Sequence, residues 1–283
     1  MERTLLVTGD DFGLGAGVNA AIAAAHRDGI LTSASLMVTG AGVAEAVALA
    51  REMPALSTGL HLVLSGHDAP AASKPGAIPD LVDSKGRFAR APARAGIADG
   101  LLWRKRRSQV EREIRAQIER YLETGLTLDH VDGHHHLHLH PFIFPVLLDC
   151  LREARVPWVR LAEEDGGARH GIAWSPHEIE PAILASLSRR ARARMRIAGG
   201  VGAADRMLGL RATGRMSVQE ILWLLPRTSA RSVELYAHPD RDTAQGRREE
   251  AALRAPAVRE AVRTAGFRLV SSRDLGGGVE PGR

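Results

Sequence analysis

Seven short apolar runs, at residues 4–8, 33–38, 58–64, 126–132, 157–161, 233–238 and 267–271, alternate with stretches of helical period. No other feature constrains the fold as tightly. Runs this short and this apolar read as strands buried on both faces. Between them, residues 17–28 place Val18, Ile22 and Ala25 on one helical face and stop at Gly29. Residues 107–124 do the same with Val110, Ile114, Ile118, Tyr121 and Leu122, and stop at Gly125. Residues 142–154 and 246–265 follow the same rule. Strands separated by helices pair in parallel through crossovers, so the expected fold is α/β, an open sheet or a (β/α) barrel. One domain over residues 1–275 accommodates this pattern. Two connections, at about 65–105 and 162–231, exceed simple loops and read as insertions, while the glycine-rich tail 276–283 reads as disordered.

Composition narrows the setting. Cys150 is the only cysteine among 283 residues, so no disulfide forms within the chain and a reducing, cytoplasmic location is expected. The N-terminus lacks the apolar core of a secretion signal, and no run approaches the 18 apolar residues of a membrane span. The net charge is +5, with Lys74, Lys85 and Lys105 the only lysines, so arginine carries the basic character. Much of it lies in 103–112 and 188–196. Such segments are either solvated helix faces or patches for peripheral contact with anionic headgroups. Aromatic residues are 4% of the chain and none is interleaved with these arginines, so no nucleic-acid partner is expected.

The run HVDGHHHLHLH at 130–140 holds six of the twelve histidines. In an extended strand His130, Asp132, His134, His136, His138 and His140 would share one face, opposite Val131, Leu137 and Leu139. Asp10 and Asp11 stand where the first strand hands over to a loop, the ligand-facing position of α/β folds. A dinucleotide fingerprint is a poor alternative, because Gly13, Gly15 and Gly17 are wrongly spaced and two carboxylates would repel a pyrophosphate. His61 interrupts an apolar strand, and His238 is held at a strand end by Pro239. A carboxylate with two imidazoles is the donor pattern of a hydrolytic metal centre. An imidazole at a strand rim can protonate a leaving amine.

The stretches GDDFGLGAGVN, GILTSASLMV, GLHLVL, HVDGHHHLH and ELYAHP occur in the order found in the YdjC-like carbohydrate deacetylases, which include the chitooligosaccharide deacetylases. The resemblance extends from residue 4 to about 271. It implies a distorted, seven-stranded, TIM-like barrel related to the polysaccharide deacetylases. It also implies one divalent metal ion, zinc or magnesium, held by Asp11, His61 and His134, with Asp10 as general base and His238 assisting departure of the amine. His136 and His138 would face substrate or support the ligands, and His130 and Asp132 would orient them. Gly133 replaces a serine frequent in the family, and His-Pro-Asp replaces a common His-Pro-Gly.

The stretches IPDLVDSKGRF and DHVDGHHHLHLHP further resemble the hopanoid-biosynthesis-associated branch. That likeness implies removal of acetyl from the N-acetylglucosaminyl headgroup of a hopanoid lipid, with peripheral contact at the inner membrane face through 188–196. A homo-oligomer is compatible with a chain of this size. The other readings are a deacetylase of soluble chitooligosaccharides, a metal-dependent phosphoesterase, and a non-catalytic lipid-binding relative.

Overall fold

A computed structural model describes residues 2–66, 69–88, 106–165 and 179–276. Its centre is β1 (Arg3–Phe12), buried along most of its length. On one edge β1 pairs with β6 (Ser232–Ala237). On the other it pairs first with β7 (Phe267–Val270) and then with β2 (Ser33–Leu36). The sheet continues through β3 (Ser57–Leu62) to β4 (Val131–Gly133), and beyond β6 to β5 (Arg206–Leu208), every pairing parallel. The edges β4 and β5 are joined by residues 157–164. Val131 N–H donates to the Trp158 carbonyl, Arg160 N–H to the Val131 carbonyl, and Met207 N–H to the Glu163 carbonyl. The expected α/β barrel is therefore present.

The described residues hold seven strands, as the apolar runs suggest, but the membership differs. Residues 157–161 form only isolated bridges, because their partners on the two sides, Val131 and Gly202, are offset along the chain. The remaining strand is β5, from within the stretch read as an insertion. At three residues it is too short to show a pattern in sequence. The helical stretch 246–265 is likewise two helices, Ala244–Arg254 and Pro256–Thr264. Pro256 forces Ala255 out of helical geometry (ψ 129°). The expected tail and much of the first insertion lie outside the described residues.

Helix α1 (Ala16–Asp28) shows why the layers form. Val18, Ala21, Ile22 and Ala25 make one buried stripe, and His26 and Arg27 sit in the last turn, where the helix dipole favours positive charge. Leu5 and Val7 of β1 belong to the main core, and a side chain at Gly9 would collide with Leu31 and Ile22. Leu6, Thr8 and Asp10 alternate to the opposite, interior face. They build three layers. Leu6 packs with Trp158, Ala204 and Val270; Thr8 bonds Glu234; Asp10 meets Arg160. Barrel interiors are usually filled by branched apolar side chains. Here the upper layers are polar, and they lie toward the C-terminal strand ends.

Candidate metal centre and active site

Adjacent residues of a strand point to opposite faces, so Asp10 and Asp11 could not both reach one site from a regular β1. The strand solves this with a bulge: Gly9 pairs with Ala34, but Phe12 pairs with Leu36, which leaves one extra residue on β1. Asp11 takes the left-handed conformation within it (φ 65°). That is a costly geometry for a side-chain-bearing residue, of the kind that collects at functional sites. Both carboxylates then line a cavity of about 640 Å³ at the C-terminal mouth of the barrel, together with His61, His134, His136, Tyr236 and His238.

Asp11, His61 and His134 converge there. Oδ1 of Asp11 lies 3.3 Å from His61 Nε2 and 3.3 Å from His134 Nδ1. Donors at about 2.1 Å from one tetrahedral cation are about 3.4 Å apart, so the spacing suits such an ion. Asp11 Oδ1 and His61 Nε2 are buried without a hydrogen-bond partner among the described residues, and an ion would satisfy both. The other ring nitrogen of His61 is 2.7 Å from Asp132 Oδ1, which fixes the tautomer that offers Nε2 to a metal. Burial alone would raise the Asp11 carboxyl; the facing imidazoles of His134 and His61 hold it well below its usual range. Burial alone would lower His61; facing Asp132 and Asp11 lift it well above the usual imidazole range. The pocket thus attracts positive charge. Asp10, His61 and Asp132 form a second close group, but Arg160 already takes up both of its carboxylates.

Arg160 is 1% exposed and meets three carboxylates. Nη1 and Nη2 bond the two oxygens of Asp10 at 2.7 and 2.8 Å, Nη2 lies 2.8 Å from Asp132 Oδ2, and Nε bonds Glu234 Oε1 at 2.7 Å. The fork fixes the plane of the Asp10 carboxylate. His238, just past β6, places Nε2 4.0 Å from Asp10 Oδ2, and its backbone N–H is anchored by Glu249 Oε2 at 2.6 Å.

The YdjC-like protein family matches residues 4–272. The chain belongs to that family. It is 44% identical over 153 residues to a carbohydrate deacetylase of Brevibacillus brevis, covering 54% of this chain and 57% of that protein. It is 33% identical over 183 residues to a chitooligosaccharide deacetylase of Serratia marcescens, covering 62% and 66%. The matched stretch is thus under two thirds of either relative's length. A solved structure from Enterococcus faecalis V583, provisionally named a cellobiose-phosphate cleavage protein, superposes with a TM-score of 0.74 at 24% identity, covering 97% of this chain and 99% of that one. This last likeness shows a shared fold.

Within this YdjC-like chain the histidine run departs from the one-faced strand expected of it. β4 ends at Gly133, and His134–Leu139 turns tightly, with His135 and His136 both left-handed (φ 55° and 54°). Three consequences follow. His134 reaches Asp11, whereas His136 swings to Tyr236, its Nε2 3.4 Å from the phenol oxygen. His138 folds beneath, its Nε2 3.0 Å from the Arg160 carbonyl and its ring in the space that a side chain at 133 would need. That accounts for glycine at 133 in this chain. Burial depresses both rings, His138 to about 4, so they are neutral near pH 7. His130 lies deeper, between Ser35 and Ser272.

Sequence reasoning missed Arg160, Glu234 and Tyr236. The signal was the one that exposed His61: a polar or ionisable residue inside an apolar run, PWVRLA or SVELYA, which is too costly to bury without a partner.

Proposed function

We propose that the chain is a metal-dependent hydrolase that removes acetyl from an N-acetylated amino sugar. The observation carrying this reading is the meeting of three candidate ligands, Asp11, His61 and His134, with a separately tethered carboxylate, Asp10, and a rim imidazole, His238, in one cavity. Membership in the YdjC-like family and the names of its deacetylase relatives support it.

A divalent cation held by Asp11, His61 and His134 would polarise the acetamide carbonyl and lower the pKa of water toward about 7. Asp10 accepts the proton of the attacking water, its carboxylate held in plane by the two Arg160 bonds. As the water oxygen joins the acyl carbon, the C–N bond breaks. His238 delivers a proton to the departing nitrogen, leaving acetate and a free amine. Imidazole donors favour zinc over magnesium. Arg160 and the cavity-lining Arg211 are both committed to carboxylates, Arg211 to Glu164 at 2.6 Å. Neither is a free phosphate clamp, which argues against the phosphoesterase reading.

The finer reading is a lipid-linked headgroup, such as that of a hopanoid. It is supported by the helix Ile179–Ala198, whose outer face carries Arg190, Arg194 and Arg196 beside Ile197, 89% exposed. No described helix is long and apolar enough to cross a membrane, so such contact would be peripheral. Acetate release from an N-acetylglucosaminyl hopanoid and from diacetylchitobiose, measured side by side, tests both levels. Release from the lipid alone supports the finer reading. Release from chitobiose moves the substrate to soluble sugars. Release from neither by the metal-loaded protein refutes the deacetylase.

A further inference from the structure

A pyranose ring docks on a protein by laying its C–H face on an aromatic side chain, whose face carries partial negative charge. Among the described residues, six aromatic side chains line the cavity, and they differ in what they can offer a sugar. His61 and His134 converge on Asp11. His136 and Tyr236 are buried and meet edge to face, with ring centres 5.4 Å apart. His238 packs on Tyr236 in the same way, again at 5.4 Å, and approaches Asp10. His135 is the one of the six that is exposed.

The position of that ring is built. The backbone at 135 is left-handed (φ 55°), which costs energy in a residue with a side chain and takes it off the alternating path of a strand. The imidazole lies against that of His134, with centres 3.9 Å apart and planes tilted by 51°. Its Nδ1 is 3.2 Å from the hydroxyl of Ser65, a buried residue of the loop that follows β3. Two segments of the chain thus hold one exposed ring in a set orientation beside the candidate ligands.

We infer that His135 is a binding residue: its imidazole carries a pyranose ring of the substrate and so selects N-acetylated amino sugars over acyclic acetamides. The next residue back, His134, is a candidate ligand, so a sugar resting on His135 has its acetamide beside the cation site. The identity of the substrate rests on the function proposed above, but docking of the sugar can be read without turnover.

Steady-state acetate release by the zinc-loaded protein tests the selection, with the N-acetylated sugar it hydrolyses set beside acyclic N-acetylethanolamine. His135→Asn removes the ring and keeps a residue that accepts left-handed backbone. It should raise KM for the sugar about 2- to 12-fold, the worth of one aromatic contact, and leave kcat nearly unchanged. Release from N-acetylethanolamine should stay at its wild-type level, and zinc affinity should not move. His135→Phe restores a ring without a nitrogen and should return KM to within about twofold of wild type. An unaltered KM in His135→Asn, an equal loss on the acyclic acetamide, or no rescue by phenylalanine would overturn the inference. NMR of the His135 ring protons in the metal-free full chain, titrated with diacetylchitobiose and with the N-acetylglucosaminyl lipid, separates this from the deacetylase reading. Sugar that shifts the His135 signals in a protein that releases no acetate refutes the deacetylase and leaves the platform standing. Acetate release with His135 signals unmoved by either sugar refutes the platform, and binding of neither sugar refutes both.

Discussion

Replacing Arg160 by methionine should be among the most damaging single changes to the barrel. The guanidinium makes two bonds to Asp10, an ion pair to Asp132 and a bond to Glu234, all between 2.7 and 2.8 Å, with every partner 2% exposed or less. Asp132 would keep His61 and Ser35, and Glu234 would keep Thr8. Asp10 would lose both of its bonds. Removing one side of a buried ion pair costs about 3–5 kcal/mol, because the remaining charge is left without compensation. The urea midpoint should fall accordingly, and Tm by roughly 5–15 °C. Adding Asp10→Asn to Arg160→Met should recover about 1–2 kcal/mol, since a neutral amide replaces the stranded charge. An Arg160→Met protein within about 1 kcal/mol of wild type, or no recovery in the double variant, would refute the claim that Arg160 is the counter-charge of the site.

Further outcomes follow from the same geometry. Asp11→Ala or His134→Ala should lose both zinc binding and acetate release; bound zinc with full turnover in either would remove that residue from the ligand set. Asp10→Asn should bind zinc normally while kcat falls by about 10²–10⁴, the usual contribution of a general base, and unchanged turnover would exclude Asp10 from that role. Gly133→Ser forces a side chain against His138 and should cost about 1–3 kcal/mol in urea unfolding; a neutral substitution would mean that His138 moves freely. Burial pushes the Cys150 thiol up to about 11, so its thiolate increases only as pH rises toward that value. Thiol reagents should react slowly at pH 8 in the folded protein and rapidly in urea, and fast reaction when folded would contradict that burial.

The fold was legible because its signal is repetitive. Six of the seven runs became strands, and the helices between them kept their expected buried faces except at Leu122, which turns out to solvent at 50% exposed. What failed were short or interrupted elements. β5 has three residues and pairs through contacts distant in sequence, and periodicity runs smoothly through the break at Ala255. The site was legible in its residue types but not in its shape. Alternation placed His130, His134, His136, His138 and His140 on one face, whereas left-handed turns at 135 and 136 send His134, His136 and His138 to three different places. On a regular strand the same rule would separate Asp10 from Asp11, and the bulge in β1 is what brings both to the site that the sequence expected them to share. Arg160 went unnoticed because its purpose is set by Asp10, Asp132 and Glu234, from three other segments.

The central claim is that one cation, held by Asp11, His61 and His134, makes this YdjC-like barrel hydrolyse an acetamide. The most direct measurement is acetate release from N-acetylated sugar by chelator-stripped protein titrated with zinc. The account predicts no release at zero zinc, a linear rise, and a plateau at one equivalent. Full activity in the stripped protein, or none with one zinc firmly bound, would contradict it.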